Sequence, residues 1–323
     1  MKITIVAFDS CMTSAVYGQA DAFAIAASIA ARSNVSSWSN QEVQIATPSG
    51  EAVQGHGGYS IEAHCSLADA QDSDVVLIPP IFGDIEQVLA RQGGLVAWLA
   101  SFPANAPLLA STCTGAFLLA EAGILDGRRV TTNPAFSALF RQRYPRVGLA
   151  LDQRIIDDNR VICAGSTTSY LNLAVHVIDR LAGHDLAVST AKALSIDSNP
   201  ESQLPYFLFI APKDHGDDKV LQLQTWIESR HGEPIGIDDL VSAAGMSVRN
   251  LNRRFLAATS LSPQQYLRRV RIEAAKRLLE ERNASIDRVA EAVGYRDTRA
   301  FIRAFGAIAG LSPGQYRQRF RTR

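Results

Sequence analysis

The sequence predicts two folds in one chain: an α/β domain with a parallel sheet between layers of helices, followed by an all-α domain with two helix-turn-helix units. The first prediction rests on short apolar runs that alternate with helical patterns through residues 1–195. The second rests on a repeat with a period of fifty residues within 217–323. A chain of 323 residues is long enough for each domain to have its own core.

The strands of the α/β domain are predicted from continuous apolar runs, which are typical of strands buried on both faces. These runs lie at 2–8, 42–47, 74–79, 107–110 and 129–132. Glycines predict a hairpin or a turn at 53–61, and Asp157-Asp158-Asn159 interrupts a predicted hairpin at 154–164. Helical patterns separate the strands at 14–31, 85–100, 116–122, 136–143, 167–182 and 186–194.

The domain boundaries follow from composition and charge. We expect the α/β domain at 1–195, a linker rich in Pro, Asp and Ser at 196–216, and the all-α domain at 217–323. Residues 217–323 contain 19 Lys and Arg against 12 Asp and Glu, whereas residues 1–216 contain 13 against 20. A neutral chain with a basic C-terminal third favours one module that binds nucleic acid and another that does not.

Six residues of the all-α domain recur fifty positions later without a change of register, which predicts an internal duplication. The recurring pairs are Arg253 and Arg303, Phe255 and Phe305, Leu261-Ser262-Pro263 and Leu311-Ser312-Pro313, and Tyr266 and Tyr316. Each copy has a short helix, a glycine turn and a second helix. A long amphipathic helix at 266–282 connects the copies.

The second helix of each copy presents polar residues to solvent. In the first copy Ser247 is a helix cap, and Leu251 and Phe255 face the core because they are four residues apart. In the second copy Asp297 is the cap, and Phe301 and Phe305 face inward. The outward residues are then Arg249, Asn252 and Arg253 in the first copy and Thr298, Arg299 and Arg303 in the second.

The region from Pro234 to Phe320 resembles the DNA-binding domain of the AraC/XylS family. The motifs that carry the resemblance are Arg271, Ala275, Leu278 and Leu279, then Ile286–Tyr295, Phe301–Phe305 and Gly310–Arg317. The resemblance implies that both second helices enter the major groove of double-stranded DNA, with the six outward residues as candidate base readers. Arg can pair with guanine and Asn with adenine. For each residue the alternative is a solvated charge or a phosphate contact.

A strand, a sharp turn and a helix meet at Ser111–Gly115, with Cys113 at the turn. This is the nucleophile-elbow pattern, which lifts a reactive side chain above the edge of a sheet and in front of a helix N-terminus. Extended to Ser111–Thr132, the stretch resembles the ThiJ/PfpI, class I glutamine amidotransferase-like domain, and more narrowly the version fused to AraC-type regulators. The resemblance implies a flavodoxin-like fold for the N-terminal domain.

Two departures from the catalytic members of that family point away from an enzyme. Those members place a His after Thr-Thr, whereas Asn133 follows Thr131-Thr132, and Asn does not act as a base near neutral pH. They also carry a carboxylate on the first helix, where counting back from Gly18 gives Ala15. We therefore expect no catalytic residues and a vestigial Cys113.

Three roles stay open for Cys113: an inherited structural residue, the wall of a ligand pocket, or an oxidation-sensitive switch. Ligands of open α/β sheets bind beyond the carboxyl ends of the strands. By this analogy of fold the candidate pocket residues are Cys113, Thr114, Asn133, Phe82, Gly83, Ser166 and Thr167.

The remaining expectations concern cofactors, location and activity. The four cysteines are scattered without metal-ligand spacing, so we expect no metal and no cofactor. We also expect a cytoplasmic protein, because the start of the chain does not read as a signal peptide and no apolar run is long enough to span a membrane.

The sequence therefore predicts a homodimeric transcription regulator that binds operator DNA through its C-terminal domain. Its N-terminal domain would sense a small-molecule effector or dimerise. The alternatives are an amidase or hydrolase that uses Cys113 beside a fused DNA-binding domain, and a dimerisation module without a ligand.

Overall fold

The computed structural model describes residues 1–33, 38, 40–103, 107–197, 202–211, 213–281 and 284–321. The chain divides into two compact units, Met1–Ser202 and Gln203–Arg323. Part of the predicted linker, 198–201 and 212, lies outside the described residues. Phe209 and Ala211, also within that linker, pack against a core of the second unit. The predicted bounds of the linker stay a prediction.

The strands of the first unit are short and apolar. They are β1 (Lys2–Val6), β2 (Glu42–Thr47), β3 (Val53–Gln54), β4 (Ser60–Ile61), β5 (Cys65–Ser66), β6 (Val75–Ile78), β7 (Leu108–Thr112), β8 (Arg129–Val130), β9 (Gly148–Leu149), β10 (Ile155–Asp158) and β11 (Val161–Ala164). The main sheet has the order β10-β11-β7-β6-β1-β2-β5, and all of its pairs are parallel except β10 with β11. The predicted α/β class with helices over a parallel sheet is confirmed.

Two of the predicted segments lie outside the main sheet. The run at 129–132 forms only β8, which pairs with β9 in a separate two-stranded sheet. The hairpin predicted at 53–61 does form, as β3 with β4, and likewise stands outside the main sheet. An apolar run identifies a strand, but it carries no information about which neighbour the strand pairs with.

The helices of the first unit cover the sheet. They are α1 (Thr13–Ser33), α2 (Ile85–Arg91), α3 (Gly93–Ala100), α4 (Ala116–Glu121), α5 (Ser137–Arg143), α6 (Tyr170–Ala182) and α7 (His184–Ala193). The single helix predicted at 85–100 is broken at Gln92, which caps the end of α2 and precedes α3. Two glycines begin α3, and glycine resists continuing a helix because it loses more backbone entropy there than other residues.

The second unit is all-α. Its helices are α8 (Asp218–Arg230), α9 (Ile237–Ala244), α10 (Val248–Thr259), α11 (Pro263–Glu281), α12 (Ile286–Ala292), α13 (Thr298–Ala309) and α14 (Pro313–Phe320). They enclose two separate apolar clusters. Helix α11 contributes to both, with Tyr266 and Leu267 in the first cluster and Ile272, Ala275 and Leu279 in the second. The two predicted helix-turn-helix units are therefore built on one shared helix.

The duplication extends to a buried tyrosine in each cluster. The Tyr266 hydroxyl donates to Glu228 Oε1 at 2.5 Å, and the Tyr316 hydroxyl donates to Glu280 Oε1 at 2.7 Å. Each glutamate lies near the C-terminal end of the helix that precedes its unit, α8 or α11. Each hydrogen bond thus ties the end of a unit to its entry helix. Among the described residues, no helix combines the length and apolarity needed to cross a membrane.

The segment Leu204–Ala211, which we call the strap, is fastened to α11. Lys276 Nζ donates to the Phe207 carbonyl at 2.5 Å, and the Phe209 amide donates to Glu273 Oε2 at 3.4 Å. Lys276 is buried, and burial lowers the pKa of its ammonium group. The Phe209 ring packs edge-on against Tyr266, with 5.5 Å between ring centroids. The strap is therefore part of the helical unit.

Candidate nucleic-acid interface and ligand site

The start of α10 is set by a left-handed turn and a cap. Gly245 ends α9 with a φ of +59°, a conformation that favours glycine. Ser247 Oγ then accepts a hydrogen bond from the Asn250 amide at 3.4 Å, as the sequence predicts for a cap. Leu251 and Phe255 are fully buried, so the opposite face of α10 is turned to solvent.

The exposed face of α10 carries the predicted base-reading residues of the first copy. Arg249 and Arg253 are exposed, and Asn252 is half-buried beside them. Arg253 donates to Asn250 Oδ1 at 3.1 Å, a contact within the same helix. The neighbouring Arg254 is different, because Asp217 holds its guanidinium at 2.6 Å. The helix therefore separates two outward arginines from one that is used structurally.

Helix α13 repeats this arrangement. Asp297 caps it by accepting from the backbone amides of Arg299 and Ala300, at 3.0 and 3.2 Å. Arg299 and Arg303 are exposed. The Thr298 hydroxyl donates to Asp287 Oδ1 at 2.6 Å, so its proton is already engaged. This contact, eleven residues distant, gave no signal in the sequence.

The outward arginines make no ion pair with the residues that the structure describes. Within the described ranges no carboxylate pairs with Arg249, Arg253, Arg299 or Arg303. Two capped helices thus carry four uncompensated positive charges, in a domain whose residues 217–323 sum to +7. Such a distribution suits a polyanion.

Two residues of these helices were not among the predicted readers. Val248 and Ile302 are 46% and 40% exposed, although both are apolar. The repeat could have identified Ile302, because it lies fifty residues after Asn252 and so occupies the corresponding position.

In the first unit, Cys113 occupies the predicted sharp turn between β7 and α4. Its φ is +57°, in the left-handed region that residues other than glycine seldom adopt. A Cβ on Gly115 would lie 2.7 Å from the carbonyl oxygens of Ile78 and Pro79, so only glycine fits there. The elbow is thus pressed against the carboxyl end of β6, and its side chain is 3% exposed.

Two of the predicted pocket residues touch the Cys113 thiol. Asn133 Nδ2 donates to Sγ at 3.3 Å, and Thr167 Oγ1 lies 3.8 Å from Sγ. Asn133 Oδ1 accepts from the Ala135 amide at 3.0 Å, which fixes the orientation of the side-chain amide. The group facing sulfur is therefore a donor and not a base.

Thr114 and Phe82 are linked through the loop after β6. The Thr114 hydroxyl both donates to the Ile81 carbonyl and accepts from the Ile81 amide, each at 2.8 Å, and its hydrogen-bonding capacity is largely used. Phe82 is half-buried and stacks on His56, with 4.2 Å between the rings. The sequence carries no local signal that His56 belongs to this edge of the sheet.

The other predicted pocket residues lie in the loops at the same edge of the sheet. Gly83 is exposed with a φ of +87°. Ser166 is half-buried and, with Thr167, follows the end of β11. The structure therefore brings Cys113, Asn133 and Thr167 into contact and leaves Phe82 and Gly83 in the loop that Thr114 fastens.

Helix α1 has no carboxylate at the position where catalytic relatives carry one. Ala15 is fully buried, and Asp21 is exposed. Gln19, one turn after Ala15, is buried, and its side-chain amide has no hydrogen-bond partner among the described residues. Among all the residues that the structure describes, no group of His, Cys, Asp and Glu side chains could hold a metal ion.

Two other cysteines are buried within the sheet unit. Burial raises the pKa of the Cys11 thiol to about 12 and that of the Cys163 thiol to about 11. Neither thiol ionises readily at neutral pH, so neither has the character of a reactive cysteine.

Family models match both parts of the chain. The DJ-1/PfpI family model matches residues 1–180, and a helix-turn-helix domain model matches residues 240–319. Both resemblances stated from the sequence are confirmed.

The similarity to curated relatives extends over most of the chain. The HTH-type transcriptional regulator CdhR of Pseudomonas aeruginosa is 27% identical over 269 residues, which is 83% of this chain and 79% of the relative. The HTH-type transcriptional regulator GbdR of the same species is 25% identical over 273 residues, 83% of this chain and 72% of the relative. The similarity therefore spans both units.

Solved structures confirm the fold of the first unit. Drosophila melanogaster DJ-1beta superposes with a TM-score of 0.51 at 20% identity, over 61% of this chain and 98% of that one. A THiJ/PfpI family protein from Pseudomonas syringae superposes with a TM-score of 0.51 at 17% identity, over 76% of this chain and 90% of that one. With the family model matching more than half of the sequence, the chain belongs to the DJ-1/PfpI family, in the form that carries an AraC-type helix-turn-helix domain.

Proposed function

We propose that the protein is a transcription regulator that binds specific double-stranded DNA through α10 and α13. The observation that carries this proposal is the pair of capped helices with four exposed arginines, which no carboxylate of the described residues pairs with. Arg fits guanine and Asn fits adenine in the major groove, so Arg249, Asn252, Arg253, Arg299 and Arg303 are the base readers. Thr298, whose hydroxyl is engaged, contributes its methyl group or accepts a hydrogen bond.

The names of the relatives support the proposal. CdhR and GbdR are both named HTH-type transcriptional regulators, and the similarity to each covers 83% of this chain. A protein of this kind acts in the cytoplasm, where it meets the chromosome.

The first unit acts, on this proposal, as a sensing or dimerisation module without catalysis. A cysteine nucleophile needs a base to accept a proton and a group to orient it. Here the thiol faces the amide donor of Asn133, and α1 has Ala15 where an acid would be. A small-molecule effector that contacts Cys113, Asn133 and Thr167 would change how two protomers of a homodimer present four recognition helices.

Selection of bound fragments from genomic DNA by the full chain tests the DNA-binding function. We expect a recurring motif with two segments about one helical turn, or about 10 bp, apart. Arg303→Ala should reduce affinity for that motif by about 1–3 kcal/mol and relax the preference at one base pair.

Arg277→Ala on α11 is the matched control for loss of charge. Arg277 is exposed but lies outside both recognition helices. It should leave base preference unchanged. Fragments without a shared motif would contradict the function, and an equal loss on random DNA in Arg303→Ala would make that residue a phosphate contact.

The effector is tested separately, by measuring affinity for the selected motif with and without a panel of small metabolites. A compound that changes the affinity of the original chain, and does so less in Asn133→Ala, supports sensing near Cys113. If no compound changes the affinity, the first unit is a dimerisation module without a ligand.

The retained elbow favours one second candidate, a hydrolase or amidase. The left-handed conformation of Cys113 is costly, and such strain concentrates at functional sites. Hydrolysis of amide or ester substrates that Cys113→Ser abolishes would establish this activity beside DNA binding.

A further inference from the structure

Exposed large apolar side chains of the second unit lie on the strap and on the two recognition helices. In the described part of the second unit, the large apolar side chains that remain exposed are Tyr206, Leu208, Ile210, Val248, Leu256 and Ile302. Three of them, Val248, Leu256 and Ile302, lie on α10 and α13. Single exposed apolar residues are common on protein surfaces, so their surroundings decide whether they have a role.

Ile302 and Val248 share a face with the outward arginines. Ile302 follows Arg299 by three residues and precedes Arg303, and all three are exposed. Residues three apart on a helix are neighbours, so Ile302 lies on the same side of α13 as Arg299. Val248 occupies the first turn of α10 and precedes Asn252 by four residues. Both apolar side chains therefore belong to the surface proposed to enter the major groove.

The repeat register shows where the two helices agree and where they differ. Arg249 matches Arg299, and Arg253 matches Arg303. At the two other positions the apolar residue and the hydrogen-bonding residue change places between the helices. Val248 corresponds to Thr298, and Asn252 corresponds to Ile302. Each helix thus offers two arginines, one residue that can hydrogen-bond and one fully apolar side chain.

The ligand of such a surface must be an anion that also presents a small apolar group. The arginines and the charge of +7 over 217–323 require the negative charge. In the major groove of DNA the apolar group is the C5 methyl of thymine, whereas adenine presents an acceptor and a donor that match the amide of Asn. We propose that Ile302 and Val248 are specificity-determining residues that each contact a thymine methyl group. This inference rests on the proposed DNA-binding function.

The test uses the full chain and a fragment selected from genomic DNA. Each thymine of the fragment is replaced in turn by deoxyuridine, which has the same hydrogen-bonding groups but lacks the methyl group. One replacement in the segment that α13 contacts should weaken binding of the original chain about four-fold, the worth of one buried methyl group. Ile302→Ala should bind the thymine and the uracil forms equally, at the weaker level.

A second variant tests for a change of base preference, where Ile302→Ala tests for a loss of affinity. Ile302→Asn gives α13 the residue that α10 has at the corresponding position. The preferred base at the coupled position should change from thymine to adenine, while preferences in the segment read by α10 stay as they were. Ile302 is exposed, so both variants should melt at the temperature of the original chain.

The outcomes separate this inference from the function on which it rests. If no motif is selected, the proposed sequence-specific binding of DNA is wrong. If a motif is selected but no uracil replacement loses its effect in Ile302→Ala or in Val248→Ala, apolar readout is wrong and the DNA-binding function stands. A loss in Ile302→Ala that is equal on every DNA would likewise overturn the inference, since it would indicate a partner or packing role for the isoleucine.

Discussion

At the scale of single residues, Asn133 determines which chemical group faces the Cys113 thiol. Asn133 uses both ends of its side-chain amide, one as a donor to Cys113 Sγ and one as an acceptor from Ala135. The same amide therefore holds the loop and occupies the place of a base. Neither role needs a proton transfer, which is consistent with a site that binds and does not convert.

Cys11 gives a prediction about pH. Burial raises its pKa from 9.0 to about 12, so the folded unit keeps the thiol protonated while the unfolded chain ionises it near its ordinary pKa. The contribution of this neutral thiol is fully present below about pH 8.5 and is lost as pH rises toward 12. Over that interval stability should fall by up to about 1.4 kcal/mol per pH unit for this group.

Urea unfolding of the original chain and of Cys11→Ala, at a series of pH values from 7 to about 11, measures this effect. Cys11→Ala leaves a small cavity and lowers stability at every pH, but its decline above pH 9 should be shallower. Parallel declines in the two proteins would show that Cys11 does not contribute to the pH dependence.

Tyr316 gives a second prediction at this scale. Its hydroxyl donates to the carboxylate of Glu280 at 2.7 Å, and Phe in its place would leave that acceptor without its partner. Tyr316→Phe should lower the free energy of unfolding by about 1.5–3 kcal/mol, as for hydrogen bonds to charged groups. Tyr295→Phe is the control, because within the described residues the Tyr295 hydroxyl makes no hydrogen bond. Equal losses in the two variants would contradict the assignment.

At the scale of elements, the strap joins parts of the helical unit that are far apart in sequence. Its Tyr206 ring packs edge-on against Phe320 of α14 at 5.3 Å, while its Phe209 packs against Tyr266 of α11. Arg269 of α11 lies over both Phe207 and Phe209, at 5.7 and 5.6 Å from the ring centroids. The strap thus contacts residues of both helix-turn-helix units.

Lys276→Met should loosen the strap without leaving a cavity at position 276. Met has about the same length but cannot donate to the Phe207 carbonyl. Stability should fall as well, because the Glu273 carboxylate, 3.4 Å from the Lys276 ammonium, loses its ion-pair partner. The expected signal is faster hydrogen exchange at the Phe209 amide than in the original chain. Lys219→Met, at an exposed position of α8, is the control. Unchanged exchange at Phe209 would show that Lys276 does not hold the strap.

The sequence predicted the recognition helices better than the strap, and the reason is physical. Caps such as Ser247 and Asp297, and core positions such as Phe255 and Phe305, act within a few residues and leave a local pattern. The strap depends on a contact between Phe207 and Lys276, which are 69 residues apart. Its Pro-rich and Asp-rich surroundings are typical of a linker, and no local pattern records a distant acceptor.

The elbow shows the same division between local and distant information. A strand, a turn and a helix around Cys113 were visible in the order of residues, and so was the missing His at Asn133. The contacts of Thr114 with Ile81, and of Phe82 with His56, require loops from different strands to meet. Such pairings depend on the order of strands in the sheet, which the sequence does not state.

At the scale of the whole molecule, the chain has two units with separate cores and charges of opposite sign. A fragment of residues 203–323 contains the strap and both helical clusters, so it should fold alone and select the same DNA motif as the full chain. A fragment of 217–323 lacks the strap. It leaves the Lys276 ammonium without its carbonyl acceptor and exposes the surface that Phe209 covers.

Thermal unfolding of the two fragments measures the contribution of the strap. The buried part of the Phe209 ring and the hydrogen bond of Lys276 to the Phe207 carbonyl together contribute about 1–3 kcal/mol. The shorter fragment should therefore melt at least several degrees lower. Equal melting temperatures would mean that residues 203–216 form a linker without a structural role.

Asn252 and Ile302 occupy corresponding positions but differ in chemistry, and this difference affects the orientation of a bound protomer on DNA. A DNA segment that two different helices read, as proposed, is not palindromic. It therefore has a defined direction along the DNA. Each bound protomer then faces one way with respect to the neighbouring gene. Inverting the segment in front of a reporter gene would turn the protomer around and change expression, whereas a palindromic segment would be indifferent to inversion.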